Sequence, residues 1–233
     1  YTYRVPVADL IVARLQVSLP LALYALTLST LIAIPMGALA AASRNSPLDT
    51  GIMGLTQLGI AVPNFWFAML LVLAFSVGLR WFSAGGFPGW GDPYAAMKAL
   101  TLPAVALALP QAAILARVMR SALIDTLDED YIRTARAKGM PRRHVLWRHA
   151  LRNALIPVVT TIGLQTGALL AGAVLTERVF TFRGVGHALA YGFETRDYAV
   201  LQVLIMMAAL IYILVNMVVD IAYAAIDPRV RVR

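Results

Sequence analysis

The chain has 233 residues, 60% of them hydrophobic and 14% charged, with 20 lysines and arginines against 12 acidic residues for a net charge of +8. Soluble domains carry roughly 45–50% apolar and about 25% charged residues, so this balance excludes an ordinary water-soluble globule and intrinsic disorder alike. Cysteine is absent, which excludes disulfide frameworks, thiolate zinc sites and cysteine nucleophiles together.

Residues 1–14 read as an external or interfacial head that begins with Tyr1 and lacks the basic n-region, short apolar core and cleavage site of a signal peptide. Beyond it, stretches free of Asp, Glu, Lys, Arg and His run over Leu15–Ser43, Thr50–Leu79, Ala99–Ala116, Asn153–Thr176 and Tyr198–Val219. A helix rises 1.5 Å per residue and needs about 20 apolar residues to cross roughly 30 Å of hydrocarbon. Five spans are therefore predicted, at about 15–43, 50–79, 99–119, 153–176 and 198–220, in an all-α membrane domain over 15–223.

Between the first two spans, Ser43, Arg44, Asn45, Ser46 and Pro47 form a short polar turn, and after the second, Gly85, Gly86, Pro88, Gly89, Gly91 and Pro93 form a longer outer loop. The spans contain Pro35, Pro63, Pro103, Pro110 and Pro157, tolerated in a membrane where neighbours satisfy the freed backbone groups. Gly163 and Gly167 have the four-residue spacing that lets helices approach closely, and ordinary packing is expected there before a dimer seam. Ionisable residues within spans mark proton and ion relays, and the five runs hold none by construction, with Arg117 and Asp220 bordering them near the cytoplasmic face. Their polar content is neutral: Gln57, Asn64, Gln111, Thr160, Thr161, Gln165, Gln202 and Asn216. Each is first expected to bond a neighbouring helix. As a set they could line a polar passage, with Gln57, Asn64, Gln111, Gln165 and Gln202 as the pathway candidates.

The connection over 120–152 is too charged to cross a bilayer and too patterned for a slack loop. Asp128, Glu129 and Asp130 suit the positive end of a helix running through Lys138, with Gly139 as its C-terminal cap and Pro141 opening a second short helix through Trp147. The corner between them should present Ala135, Ala137, Gly139 and Met140 to a partner, rimmed by Arg142, Arg143, Arg148 and Arg152. Three roles compete for this element: anchoring at anionic headgroups, docking a soluble cytoplasmic protein and, least favoured, binding nucleic acid. Thirteen of the twenty basic residues fall in the first connection, between Arg117 and Arg152, and in the tail at 224–233, so the positive-inside rule places that side in the cytoplasm. The head then lies outside, which points to one more spanning helix before residue 1 and six in the intact subunit.

Catalytic signatures are lacking. His144, His149 and His187 are the only histidines; HExxH, G-x-S-x-G and the phosphate loop G-x-x-x-x-G-K-S/T are absent, so no metal site, no catalytic residue and no nucleotide site of that kind is expected in this chain.

The run Tyr131-Ile132-Arg133-Thr134-Ala135-Arg136-Ala137-Lys138-Gly139, followed by Arg148-His149-Ala150-Leu151-Arg152-Asn153-Ala154-Leu155-Ile156-Pro157, resembles the cytoplasmic loop of bacterial ABC importer permeases, most closely the B-type subunits for dipeptides, oligopeptides and nickel. Glu177-Arg178-Val179-Phe180 with Gly184-Val185-Gly186, Arg196-Asp197-Tyr198 and the ending Asp227-Pro228-Arg229-Val230-Arg231 extend the resemblance over nearly the whole chain. It departs from the family pattern at Arg133, where the general motif has glutamate, and at Arg183, where the outer motif has proline.

The resemblance implies a type I importer fold with a cytoplasmic coupling helix. It implies docking of an ATPase subunit through Arg133, Thr134, Ala135, Ala137, Lys138, Gly139, Met140, Pro141, Arg142 and Arg143. It also implies a multi-pass subunit of the bacterial inner membrane that is not itself an enzyme. Its partners would be a second homologous permease, two ABC ATPase subunits carrying ATP and magnesium, and a periplasmic or lipid-anchored binding protein that brings peptides or a nickel chelate. The rival reading from the residues alone is a self-contained secondary carrier or channel. A scaffold without transport is a further rival.

Overall fold

In a computed structural model, residues 7–141 and 144–226 are described, and among them the regular structure is entirely helical. Helix α1 runs Val7–Ala42, α2 Pro47–Ala61 and α3 Asn64–Leu71, the last continuing as a π-helical turn over Val72–Gly78. Helix α4 spans Pro93–Leu127 and α5 Asp130–Ala137; a π-helical segment, Val145–Ala150, leads into α6, Leu151–Val179. Helices α7, Val185–Thr195, and α8, Tyr198–Ile226, complete the order. Four helical stretches are long and apolar enough to cross a bilayer singly, and α2 with α3 form a fifth, bent pair.

That pair differs from the single span predicted over 50–79. Its halves meet at 99°. Pro63 explains the break: its ring drives the preceding Val62 out of helical geometry, and Pro63 itself adopts the extended conformation (φ −63, ψ 134) and heads α3, its carbonyl accepting the N–H of Phe67 at 3.0 Å. Pro103, Pro110 and Pro157 sit inside helices that continue past them, so surrounding packing decides which proline breaks a span.

The chain divides into two compact units. The first comprises the chain up to Leu28 with Val62–Pro110 and Thr166–Ile213. Its core joins Val17, Leu21 and Ala25 of α1 to Leu100, Leu107 and Leu169, with Phe180 and Phe182, each 1% exposed, inserted from the turn after α6. Phe87 meets Phe182 and Trp90 edge-on, at centroid distances of 5.9 and 5.4 Å, and the Trp90 indole N–H donates to the Gln16 carbonyl at 2.9 Å, fastening the glycine-rich loop to α1. A smaller cluster of Leu10, Ala188, Val200 and Leu204 seats α7 and the start of α8.

The second unit comprises Ser29–Ala61, Gln111–Gln165 and the chain from Leu214. Its core is made of small and medium side chains: Ala33, Ala116, Met119, Leu123, Ile132, Val145, Ala154 and Val158. Helices α1 and α4 approach so closely there that a Cβ on Gly37 would lie 2.5 Å from the Ala116 carbonyl oxygen. Gly163 packs against Asn216 and Val219 in this unit, while Gly167 meets Tyr212 within the first. Both glycines thus serve helix packing inside the chain, as expected.

Candidate functional site

Helix α5 is short, so its position rests on its ends and its buried face. Glu129 precedes it in an extended conformation, and its carbonyl accepts the N–H groups of Ile132 and Arg133 at 3.1 and 3.2 Å. Ile132 and Ala135, three apart on one face, are 0% and 7% exposed in the second core, whereas Arg133, Thr134, Arg136, Ala137 and Lys138 are exposed. Gly139 ends the helix at φ +80, with its N–H on the Arg136 carbonyl at 2.9 Å and the Met140 N–H on the Ala135 carbonyl at 3.4 Å. This pair of reversed bonds is the left-handed glycine cap that the sequence predicts. A Cβ on Gly139 would have no neighbour within 4 Å, so the residue is glycine for its backbone angle and stands open to whatever covers the corner.

Two expectations for this corner are corrected. Ala135 is not offered outward: it lies in the chain's own core, and Met140 is half-buried against the same cluster. Pro141 does open a helical run, its carbonyl accepting the N–H groups of His144 and Val145 at 2.9 and 3.2 Å, but no second short helix stands apart. Nothing between Trp147 and Leu151 interrupts helical hydrogen bonding, so the run passes through the π-helical segment directly into α6. Arg142 and Arg143 lie outside the described residues, and the side chain of Arg148 does too. The Asn153 side-chain amide donates to the Tyr131 hydroxyl at 2.6 Å, tying α5 to the base of α6.

Next to this loop in the second unit, the polar turn before α2 is more structured than a turn signal implies. Ser46 caps α2 by accepting the Asp49 N–H at 3.2 Å, and Pro47 occupies the first helical position. The Asp49 carboxylate, 4% exposed, accepts the Asn45 N–H at 3.0 Å and both Nε and Nη2 of Arg120, at 2.6 and 2.7 Å. Such a two-pronged guanidinium–carboxylate pair is stronger and more directional than an exposed ion pair like Arg44–Asp128 at 3.3 Å. The serine three before an aspartate was legible in the sequence; the arginine 71 residues away was not.

Of the pathway candidates, the structure brings together Gln111 and Gln165. Both are 5% exposed, and Gln165 Nε2 donates to the Gln111 backbone carbonyl at 3.1 Å. This is the helix-to-helix bond expected first of such residues. Gln57 is exposed on α2 and accepts a hydrogen bond from Arg117 at 3.3 Å. Asn64 is half-buried in the first turn of α3, its amide 3.1 Å from where a Cβ on Gly172 would stand. Gln202 lies on the exposed face of α8.

Glu177 corrects the expectation of charge-free spans, because α6 continues to Val179 and encloses it at 0% exposure. Ser18 Oγ donates to Glu177 Oε1 at 2.5 Å and itself accepts the Val185 N–H at 2.7 Å, while the His187 N–H donates to Oε2 at 3.0 Å. The carboxyl group therefore caps the amino end of α7 from another helix, where free N–H groups and the helix dipole favour an acceptor. Gly184 and Gly186 make room for it: a Cβ on Gly184 would fall 2.4 Å from Glu177 Oε1, and one on Gly186 would fall 2.5 Å from the Val174 Cα. The sequence signal was the Glu177-Arg178-Val179-Phe180…Gly184-Val185-Gly186 run, whose physical purpose is this cap.

Comparison with known proteins agrees with this architecture. Residues 33–232 match the family described as the binding-protein-dependent transport system inner membrane component. A putative peptide transport system permease protein of Brucella abortus is 43% identical over 97% of this chain and 72% of its own length. The oligopeptide permease AppB of Bacillus subtilis is 40% identical over 97% and 72%, and the dipeptide permease DppB of Escherichia coli K12 is 39% identical over 98% and 74%. In fold, the chain superposes on a subunit of the inward-facing MetNI methionine ABC transporter with a TM-score of 0.78 at 17% identity, covering 94% of this chain and 97% of that one. A chain of an amino acid ABC transporter solved with histidines gives 0.63 at 18% identity, covering 95% and 94%.

Proposed function

Because this chain belongs to the family of binding-protein-dependent inner membrane transport components, and is a multi-pass permease subunit of an ABC importer rather than a self-contained carrier, we propose that its cargo is a di- or oligopeptide and that it forms one half of the pathway beside a second homologous permease. Two ATPase subunits, holding the ATP and magnesium that this chain has no phosphate loop to bind, dock on the cytoplasmic side. A binding protein delivers cargo from outside.

The observation that carries the docking role is the build of α5: one face locked into the core by Ile132 and Ala135, the other carrying Arg133, Thr134, Ala137 and Lys138 outward to an open Gly139 corner. Force applied to such an element passes through the Tyr131–Asn153 bond and the π-helical segment into α6 instead of dissipating in a slack loop. Arginines used only to anchor headgroups would not need this rigid, glycine-ended mount. Nucleotide-driven closure of the ATPases would then bias the spans between two packings, provided that ligand and nucleotide bind those packings unequally.

The absence of native cysteine makes the test direct. A single Ala137→Cys substitution in the assembled complex should cross-link to a cysteine placed in the groove of the ATPase subunit, and Ala135→Cys, facing the core, should not. Equal labelling of both positions, or of neither, would count against docking at this corner.

A further inference from the structure

The first unit holds a cavity of about 970 Å³ bordered by Arg14, Arg178, Arg183, His187, Phe87 and Thr181, on the side that the distribution of basic residues places outside the membrane. Its size is in the range of small-molecule sites. Among the described residues, no acidic side chain lines it. Arg178 is ion-paired with Glu194, and Arg14 is held in place by donating from Nη1 to the Arg183 carbonyl at 2.7 Å. The Arg183 side chain is exposed and makes no ion pair among the described residues. His187 offers a buried Nδ1 with no hydrogen-bond partner. The Glu177 carboxyl beneath is already occupied by Ser18 and the His187 N–H.

The walls are rigid. The Gly86 N–H bonds the Phe180 carbonyl at 2.9 Å, and Gly85 approaches Thr181 so closely that a Cβ there would lie 2.6 Å from its Oγ1. Phe87, locked edge-on between Phe182 and Trp90, supplies an apolar flank. An unpaired guanidinium fork in the wall of the same cavity as an imidazole suits the two oxygens of a planar carboxylate, and the aromatic flank suits a side chain adjoining it.

We propose that this pocket binds the C-terminal carboxylate of a peptide, with Arg183 as the principal charge partner and His187 Nδ1 as a second contact. The choice of a peptide as the carrier of that carboxylate rests on the function proposed above. The pocket would hold cargo at the mouth of the permease by a terminal group that every unmodified linear peptide carries, leaving sequence selection to other parts of the system.

The test uses the intact permease–ATPase complex in nanodiscs, without its delivery protein, in equilibrium dialysis against radiolabelled trialanine and trialanine amide. The acid should be retained at least tenfold better than the amide. Arg183→Gln should remove about tenfold of that preference, Arg183→Lys, which keeps the charge and loses the two-pronged geometry, should recover only part of it, and the melting temperature should not move. Equal retention of acid and amide, or an unchanged preference in Arg183→Gln, would overturn the assignment. ATP-driven uptake of trialanine by vesicles containing the unaltered complex tests the importer reading separately, so a complex that imports peptides yet binds acid and amide alike sinks the pocket alone.

Discussion

The hydroxyl of Ser18 lies 2.5 Å from the carboxyl of Glu177, 159 residues further along the chain, and accepts the N–H of Val185 in the same contact. One serine thus connects three elements: α1, the end of α6 and the start of α7. Burial without partners would cost each of these polar groups roughly 1–3 kcal/mol, so the triad is held by its mutual satisfaction.

Glu177→Ala should therefore destabilise the protein by about 2–4 kcal/mol, since it leaves the Ser18 hydroxyl and the His187 N–H without an acceptor. Glu177→Gln, which keeps an acceptor oxygen, should lose less. Thermal unfolding in detergent would show the ranking, and a Gln variant as unstable as the Ala variant would contradict it.

Asp49 and Arg120 should behave as a coupled pair. Removing Asp49 leaves a guanidinium of 26% side-chain exposure without its partner and also costs α2 the bond to the Asn45 N–H. Asp49→Ala and Arg120→Ala should each destabilise, and the double variant should lose about 1–3 kcal/mol less than their sum. Additive losses in a double-mutant cycle would mean that the pair contributes nothing beyond its parts.

At Gly139 the chain itself leaves space, so Gly139→Ala should cost only the left-handed backbone, about 1–2 kcal/mol. Gly139→Trp should insert and fold about as well but abolish peptide uptake while ATP hydrolysis continues uncoupled. Normal uptake by the tryptophan variant would remove the corner from the coupling path.

His187 carries a pH prediction. Burial first, then the positive charges of Arg14, Arg178 and Arg183, push its pKa below the ordinary histidine value. As pH falls below about 6.5, the unfolded chain gains a proton that the folded chain resists, so stability falls in that window and is flat above it. The melting temperature of His187→Gln should drop less than that of the parent between pH 7.5 and 5.5. Identical slopes would show that another group governs the acid limb.

Much of the architecture was readable before any coordinates. The uncharged runs became α1, α4, α6 and α8 because a backbone in hydrocarbon must satisfy its hydrogen bonds internally, and only helix length and composition enter that requirement. The Gly139 cap and the proline start at Pro141 were equally local: each depends on one residue's allowed angles. Helix α7 was missed because its eleven residues sit in what composition reads as an outer connection.

The amino-acid order thus determined a multi-pass helical membrane chain and the glycine-capped polar corner of its third connection, through hydrophobicity and short-range stereochemistry. Only the tertiary structure decided that Pro63 breaks a span while Pro110 does not, that Ala135 faces inward, and that Arg120 reaches Asp49 and Ser18 reaches Glu177. The last two depend on partners 71 and 159 residues away in the chain. A buried polar or proline-freed group acquires its role from the partner that packing brings to it, and no local rule specifies that partner.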